Sequence, residues 1–352
     1  MSHSTFNRAL GAALALGSII AAPTTAQAVE GGVSFWVPGF ISSLAASPLT
    51  PGFSYANIYY HTSVSAGGDV AFARQVAAGN LTVNFSGNLN ANLKAQADLY
   101  MAIPSYTFKD PFLGGQATLA VAIPYGRSVG AVSATLNGNL GLGGPGFTIS
   151  GGRSDEIVGI GDVAPMFNVR WNSGVHNFMT YFTGNATVGR YEPGRLANLG
   201  IGHNALDAGG AYTYLDPKNG NELSATLGFT YNFENPYTQY KSGVDMHLDW
   251  GTSHFVTKQL QLGAVGYVYQ QISCDSGAGD RLGCFESRVI GVGPQLGYII
   301  PMGELQGYLN LKGFKEFDAA HRASGWNTWL TFAISPTAEQ PKPTPSRPMF
   351  TK

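Results

Sequence analysis

From residue 162 to residue 335 apolar and polar side chains alternate at every other position, in blocks of roughly ten to fourteen residues. Within 221–232, Leu223, Ala225, Leu227, Phe229 and Tyr231 share one face, and Glu222, Ser224, Thr226, Thr230 and Asn232 share the other. The next block repeats the pattern, with Val244, Met246, Leu248 and Trp250 set against Asp245, His247, Asp249 and Gly251. Successive side chains of a strand point to opposite sides, so each block separates an oily surface from a wet one. Strands of this kind, closed into a ring with the oily face outward, satisfy every backbone group inside a membrane.

The alternation predicts strands near 162–171, 175–188, 204–215, 221–232, 243–256, 260–272, 286–299, 304–316 and 326–335. Their connections alternate between tight (172–174, 216–220, 257–259, 300–303) and long (189–203, 233–242, 273–285, 317–325). Bacterial barrels have short periplasmic turns and longer outer loops, so the tight set is expected to face the periplasm. The first half is less regular. It offers strands at 53–63 and 92–108, and a third from 116–123 continuing past Pro124 toward Asn137. The expected fold is therefore all-β: a transmembrane outer-membrane barrel of twelve antiparallel strands. A turn at 125–128 would raise the count to fourteen, and both numbers are even as required. Residues 29–52 hold Val33, Phe35, Trp36, Val37, Phe40, Ile41 and Leu44 among Gly and Pro, without alternation. They are expected to fold into the lumen as a short plug, the alternative being a periplasmic segment under the barrel floor.

Composition sharpens this picture. Charged residues are 12% of the chain, about half the share usual in soluble domains, while glycine numbers 47 and aromatics reach 12%. A lipid-facing exterior explains the deficit. A formal net charge of −1 gives no hint of a nucleic-acid partner. Arg8, the small apolar stretch 9–22 and the Ala26-Gln27-Ala28 site read as a signal peptide over 1–28. The barrel is then expected over 53–335, followed by a Pro-rich disordered tail at 336–352. Cys274 and Cys284 flank a Gly-rich stretch, and in an oxidising compartment they are expected to form a disulfide. Two thiolates alone would under-ligate structural zinc.

On the phase of the alternation, Lys94, Asp98, Arg170, Glu222, Asp245, His247, Asp249, Lys312 and Glu316 are expected in the lumen. Asp245, His247 and Asp249 stand in a row at about 7 Å per step. One reading makes them a polar filter, with His247 titrating near neutral pH. The other, preferred, makes them a network cross-linked to Arg170 and Lys312 that holds the barrel rigid. His61 and Ser63 share one strand face, an arrangement that outer-membrane lipid hydrolases use. A triad also needs an acid or amide against the histidine, and the sequence alone places none there. No EF-hand loop or His-Glu-x-x-His motif occurs, and the glycines of 141–146 lack the Lys-Ser pair of a phosphate cradle. Neither a catalytic residue, a metal site nor a cofactor is expected.

Several stretches together resemble a bacterial outer-membrane family named for the meta pathway of phenol degradation, the SphA-like porins. They are Glu30-Gly31-Gly32 with Pro38-Gly39-Phe40, residues 195–203 (RLANLGIGH), 230–235 (TYNFEN), 293–298 (GPQLGY) and 325–332 (GWNTWLTF). The resemblance implies a barrel that passively moves small hydrophobic or aromatic compounds across the outer membrane and performs no enzymatic step. In plan the family is similar to the long-chain fatty-acid channels, an analogy of fold alone. The Cys274–Cys284 pair and the Pro-rich tail depart from the family pattern. The resulting expectation is a monomeric channel surrounded by outer-membrane lipid. Phe35, Trp36 and Phe40 in the plug, with Tyr237, Tyr240 and Phe285 in the outer loops, would make the apolar contacts with solute. A general porin for small polar solutes is the alternative, and a structural or adhesive barrel comes after it.

Overall fold

The computed structural model describes residues 34–78, 81–139, 146–280, 284 and 286–337. The expected signal peptide, the first residues of the 29–52 segment and all but the first two residues of the Pro-rich stretch 336–352 lie outside the described residues, as does Phe285. Thirteen strands follow one another: β1 Gly52–Ala78, β2 Leu81–Thr107, β3 Gln116–Asn139, β4 Gly146–Ile160, β5 Ala164–Ser173, β6 His176–Gly184, β7 Ala205–Asp216, β8 Asn221–Asn232, β9 Asp245–Phe255, β10 Leu260–Gln271, β11 Arg288–Met302, β12 Leu305–Ala320 and β13 Ser324–Pro336. Apart from β4 and β5, neighbours in sequence pair antiparallel, and β1 pairs with β13 to close the ring. β3 runs unbroken through Pro124, and its one edge is shared: β5 takes 116–122 and β4 takes 125–139. The two partners form one stave interrupted at 161–163, so the thirteen strands make a closed barrel of twelve staves.

The strand registers turn the sequence pattern into an inside-out molecule. In β8 the apolar set lies on the outer surface and the polar set is buried: Leu223 is 51% exposed and Glu222 is 2% exposed. The same inversion runs through β9, where Asp245, His247 and Asp249 are fully buried, while β6 turns Phe178 and Phe182 outward but keeps Met179 and Tyr181 inside. Lipid replaces water at the outer face, so burying the polar face costs nothing extra provided each of its groups finds a partner inside.

Three expectations are corrected. β4 was not anticipated, because Gly151, Gly152 and the charged run Arg153–Glu156 interrupt its alternation; cross-strand pairing with β3 makes it a strand nonetheless. β1 and β2 each extend to 27 residues, well beyond the roughly 9–11 that cross a bilayer, so their hairpin projects past the membrane. The connection expected to be long at 317–325 shrinks to residues 321–323, since β12 and β13 continue outward before turning.

The interior is filled. One buried cluster joins Ile58, Tyr60, Met101, Val265, Tyr267, Val289, Phe314 and Trp329, with Val37 and Phe40 packed on it. A second joins Met179, Tyr181 and Ala211 to Trp36, Ala45 and Ala46. Phe40 touches both clusters, so residues from 34–51 supply apolar contact to staves around the ring.

Candidate functional site

Residues 34–51 run along the inner faces of the staves toward the tight-turn end, held by groups of opposite character. Asp249 of β9 accepts from the Trp36 indole N–H at 3.2 Å, the Gly39 N–H at 2.8 Å and the Ile41 N–H at 3.2 Å. Lower down, Glu222 of β8 accepts from Ser43 Oγ at 2.7 Å, the Leu44 N–H at 2.9 Å and Ser253 Oγ at 2.6 Å. From the facing side Lys312 of β12 donates to the Gly39 carbonyl at 2.5 Å, the Phe40 carbonyl at 3.2 Å and Ser42 Oγ at 3.2 Å, and lies 5.1 Å over the Trp329 ring. Thr213 Oγ1 takes the Ala46 N–H at 2.9 Å, and Arg170 reaches the Ala45 carbonyl at 3.4 Å. Carboxylates thus meet amide hydrogens and cations meet carbonyl oxygens, which is how an irregular backbone is satisfied away from water. Close approach also needs a missing side chain: a Cβ on Gly251 would lie 2.9 Å from the Ser43 nitrogen.

At the inner end of the segment, the Trp36 ring stacks on His247, centroids 4.0 Å apart and planes within 12°. His247 Nε2 donates to Asp207 Oδ2 at 2.9 Å, and Asp207 also accepts from Tyr181 (2.8 Å) and Thr230. All of these side chains but Tyr181 are essentially without solvent contact. Gly228 makes room for them, since a Cβ there would fall 2.0 Å from the Tyr181 hydroxyl oxygen and 2.5 Å from the His247 ring. Asp245 accepts from Asn232 Nδ2 at 2.8 Å, and Glu316 accepts from Tyr267 and the Gly325 N–H, each at 2.8 Å.

Of the inward side chains expected from the sequence, Arg170, Glu222, His247, Asp249 and Lys312 touch residues 34–51, while Asp245 and Glu316 bond to groups of the barrel itself. No ion pair within 4.0 Å links Asp245, Asp249, Glu222 or Glu316 to Arg170 or Lys312 among the described residues. The backbone of the segment stands between Glu222 and Asp249 on one side and Lys312 on the other, and bonds to both signs. Lys94 and Asp98 are not in the lumen at all. In β2 the odd positions turn inward, Met101 into the first cluster, and Asp98 lies outside, hydrogen-bonded to Tyr59 and His61. The apolar face of this stave points inward because apolar side chains of the segment, Val37 and Phe40, and of facing staves wait there. Of the apolar candidates, Trp36 is buried and Phe35 and Phe40 are half-buried; Tyr237 stands 67% exposed on its loop while Tyr240 is buried beneath it.

Asp207, Tyr181, Tyr267 and Trp329 were not singled out from the sequence. Asp207 obeys the alternation between Leu206 and Ala208, but its Ala- and Gly-rich neighbours mute the signal. The long loop 185–204 is pinned by Asp162, which accepts from the Gly189 N–H at 2.9 Å and the Ile201 N–H at 3.0 Å. It turns against β4, where Arg195 binds Asp155 at 2.6 Å, and that carboxylate holds the guanidinium above its ordinary pKa. A Cys274–Cys284 disulfide closes the neighbouring loop. Cys274, Cys284 and Glu286 are grouped closely enough to share a metal ion, but both sulfurs are spent on each other.

Solved structures share this architecture. An outer membrane channel from Pseudomonas putida F1 superposes with a TM-score of 0.54 at 12% identity, over 85% of this chain and 98% of that one. A FadL homologue from Pseudomonas aeruginosa gives 0.42 at 11% identity, over 88% and 97%. No curated protein matches the sequence. The family described as the MetA-pathway of phenol degradation matches residues 45–332. With that match spanning most of the barrel, the chain belongs to this family and is a channel of the bacterial outer membrane.

Proposed function

We propose that the protein is a monomeric, passive channel that admits small hydrophobic or aromatic organic compounds, with residues 29–52 acting as a plug. The observation that carries this reading is the occupation of the lumen by residues 34–51, seated on Asp249, Glu222 and Lys312 and wedged between two apolar clusters. An aqueous pore for ions needs a continuous wetted path, and the apolar rings of Trp36, Phe40 and Trp329 interrupt one. Apolar solute can exchange places with those rings at little cost, since apolar surface stays covered throughout.

The test is single-channel conductance of the refolded protein in planar bilayers, before and after deletion of residues 29–52. Low conductance that rises steeply on deletion is the expected outcome, followed by uptake of aromatic or fatty solutes in a transport assay. Large, steady conductance of the intact protein would transfer the assignment to a general porin.

A further inference from the structure

The outer wall of the barrel carries side chains for which the channel has no use. Ile58 and Tyr60 of β1 pack inside the ring against Trp329, so alternation turns Tyr59, His61 and Ser63 toward lipid. Across the β1–β2 ladder Asp98 stands opposite His61, and Gln96 stands opposite Ser63. Asp98 Oδ1 accepts from His61 Nδ1 at 2.7 Å and from the Tyr59 hydroxyl at 2.7 Å. A carboxylate can only accept, so His61 Nδ1 donates to it and Nε2 is the ring nitrogen turned away from Asp98. This supplies the orienting acid that the primary structure by itself did not place beside the His61-x-Ser63 pair. On the other flank Trp326 lies opposite Ser63 in the β1–β13 ladder, its ring 5.0 Å from the imidazole and 45% exposed.

The height of the group on the wall matters. Toward the periplasm the outward side chains of β1 and β2 are Phe53, Tyr55, Tyr100 and Tyr106, all exposed; away from it they become Gln96, Lys94 and Asn92. Ser63 therefore stands at the rim of the apolar band, at the level where ester bonds of membrane lipids lie.

We propose that Ser63, His61 and Asp98 form an acyl-ester hydrolase site on the lipid-facing wall, a second activity separate from the channel, with a fatty-acyl ester of a membrane lipid as substrate. Ser63 Oγ attacks the ester carbonyl carbon while its proton passes to His61 Nε2, and Asp98 steadies the imidazolium. Gln96, with its Cβ about 4.5–5.5 Å across the ladder, offers its side-chain amide N–H to the oxyanion. The C–O bond to the alcohol breaks, and the alcohol leaves with the proton from His61. Water then attacks the acyl-serine, gives its proton to His61, and releases the fatty acid as Ser63 recovers its hydrogen. The sum is ester plus water to acid plus alcohol. His61 and Ser63 are about 7 Å apart along the strand and share no hydrogen bond in the free protein, so the serine hydroxyl has to turn toward Nε2 when substrate binds.

The test uses the full-length refolded protein in phospholipid vesicles containing a fluorogenic acyl ester, alongside a long-chain fluorophosphonate probe. Expected are a probe adduct on the peptide containing Ser63 and release of labelled fatty acid. Ser63→Ala should abolish both and Ser65→Ala neither, while Asp98→Asn lowers release on the order of 10⁴-fold without altering heat-modifiable gel mobility. Adduct mapping is done on the wild-type protein and needs no variant. Absence of an adduct on Ser63, or release equal to that of Ser63→Ala, would overturn the proposal. Cleavage of a short soluble ester without cleavage in vesicles would overturn the lipid substrate.

Discussion

Asp249 shows how one side chain seats an irregular segment inside a barrel. It accepts three N–H groups from residues 36–41. Truncation leaves them unsatisfied in a water-poor interior, at a cost of about 1–3 kcal/mol for each buried group. Asp249→Ala should thus loosen the segment while the barrel, whose strands do not depend on it, remains folded. Increased open-channel probability in planar bilayers, with unchanged heat-modifiable mobility, is the expected result; unchanged conductance would show that Glu222 and Lys312 suffice. Charge type could be read from the sequence here, but the partner could not. Asp245, Asp249 and Lys312 were expected inside and are inside, yet the expectation of direct ion pairs misjudged them. A carboxylate buried beside an irregular backbone finds amide hydrogens nearer than any cation.

The strand is the scale at which the alternation acts. β8 exposes Leu223, Leu227, Phe229 and Tyr231 to lipid and buries Glu222, Ser224, Thr226 and Thr230. A cation on the lipid side near mid-strand has no water and no partner, so Leu227→Arg should cost about 2–4 kcal/mol. Denaturant unfolding in vesicles reads this directly, and a loss below about 0.5 kcal/mol would mean that the face is not lipid-exposed. β2 marks the limit of such reasoning. Its apolar positions Leu99, Met101 and Ile103 alternate as cleanly as those of β8 but turn inward, because the facing interior is apolar at that stave. Alternation says that two faces differ; which of them meets lipid depends on what the interior holds. β4 was missed for a related reason, since only its pairing with β3 makes a strand of a Gly-rich, charged segment.

At the scale of the whole molecule, the connections assign the ends. Turns at 174–175, 217–220 and 256–259 are tight, while 185–204, 233–244 and 272–287 are long and collect at the opposite rim. Single cysteines placed at Lys258 and at Glu234, both exposed, should therefore differ in intact cells. A membrane-impermeant maleimide is expected to label Glu234→Cys and to leave Lys258→Cys unlabelled until the outer membrane is breached. The reverse pattern would invert the barrel. The closure of β1 on β13 pairs the first and last staves, so neither presents an open edge to another chain along 55–65 and 324–334.

The amino-acid sequence by itself determined the all-β class, the inside-out polarity of β8 and β9 and the alternation of short and long connections, and left the stave count between twelve and fourteen. Each of these rests on periodicity two, a local property that survives without knowledge of neighbours. Only the tertiary structure decided that Lys94 and Asp98 face out, that residues 34–51 stand between the acidic and basic side chains of the lumen, and that Asp98 meets His61 on the wall. Those outcomes depend on which staves are adjacent and on what fills the ring. They are contacts between residues separated by 37 to 273 positions, and no local pattern encodes them.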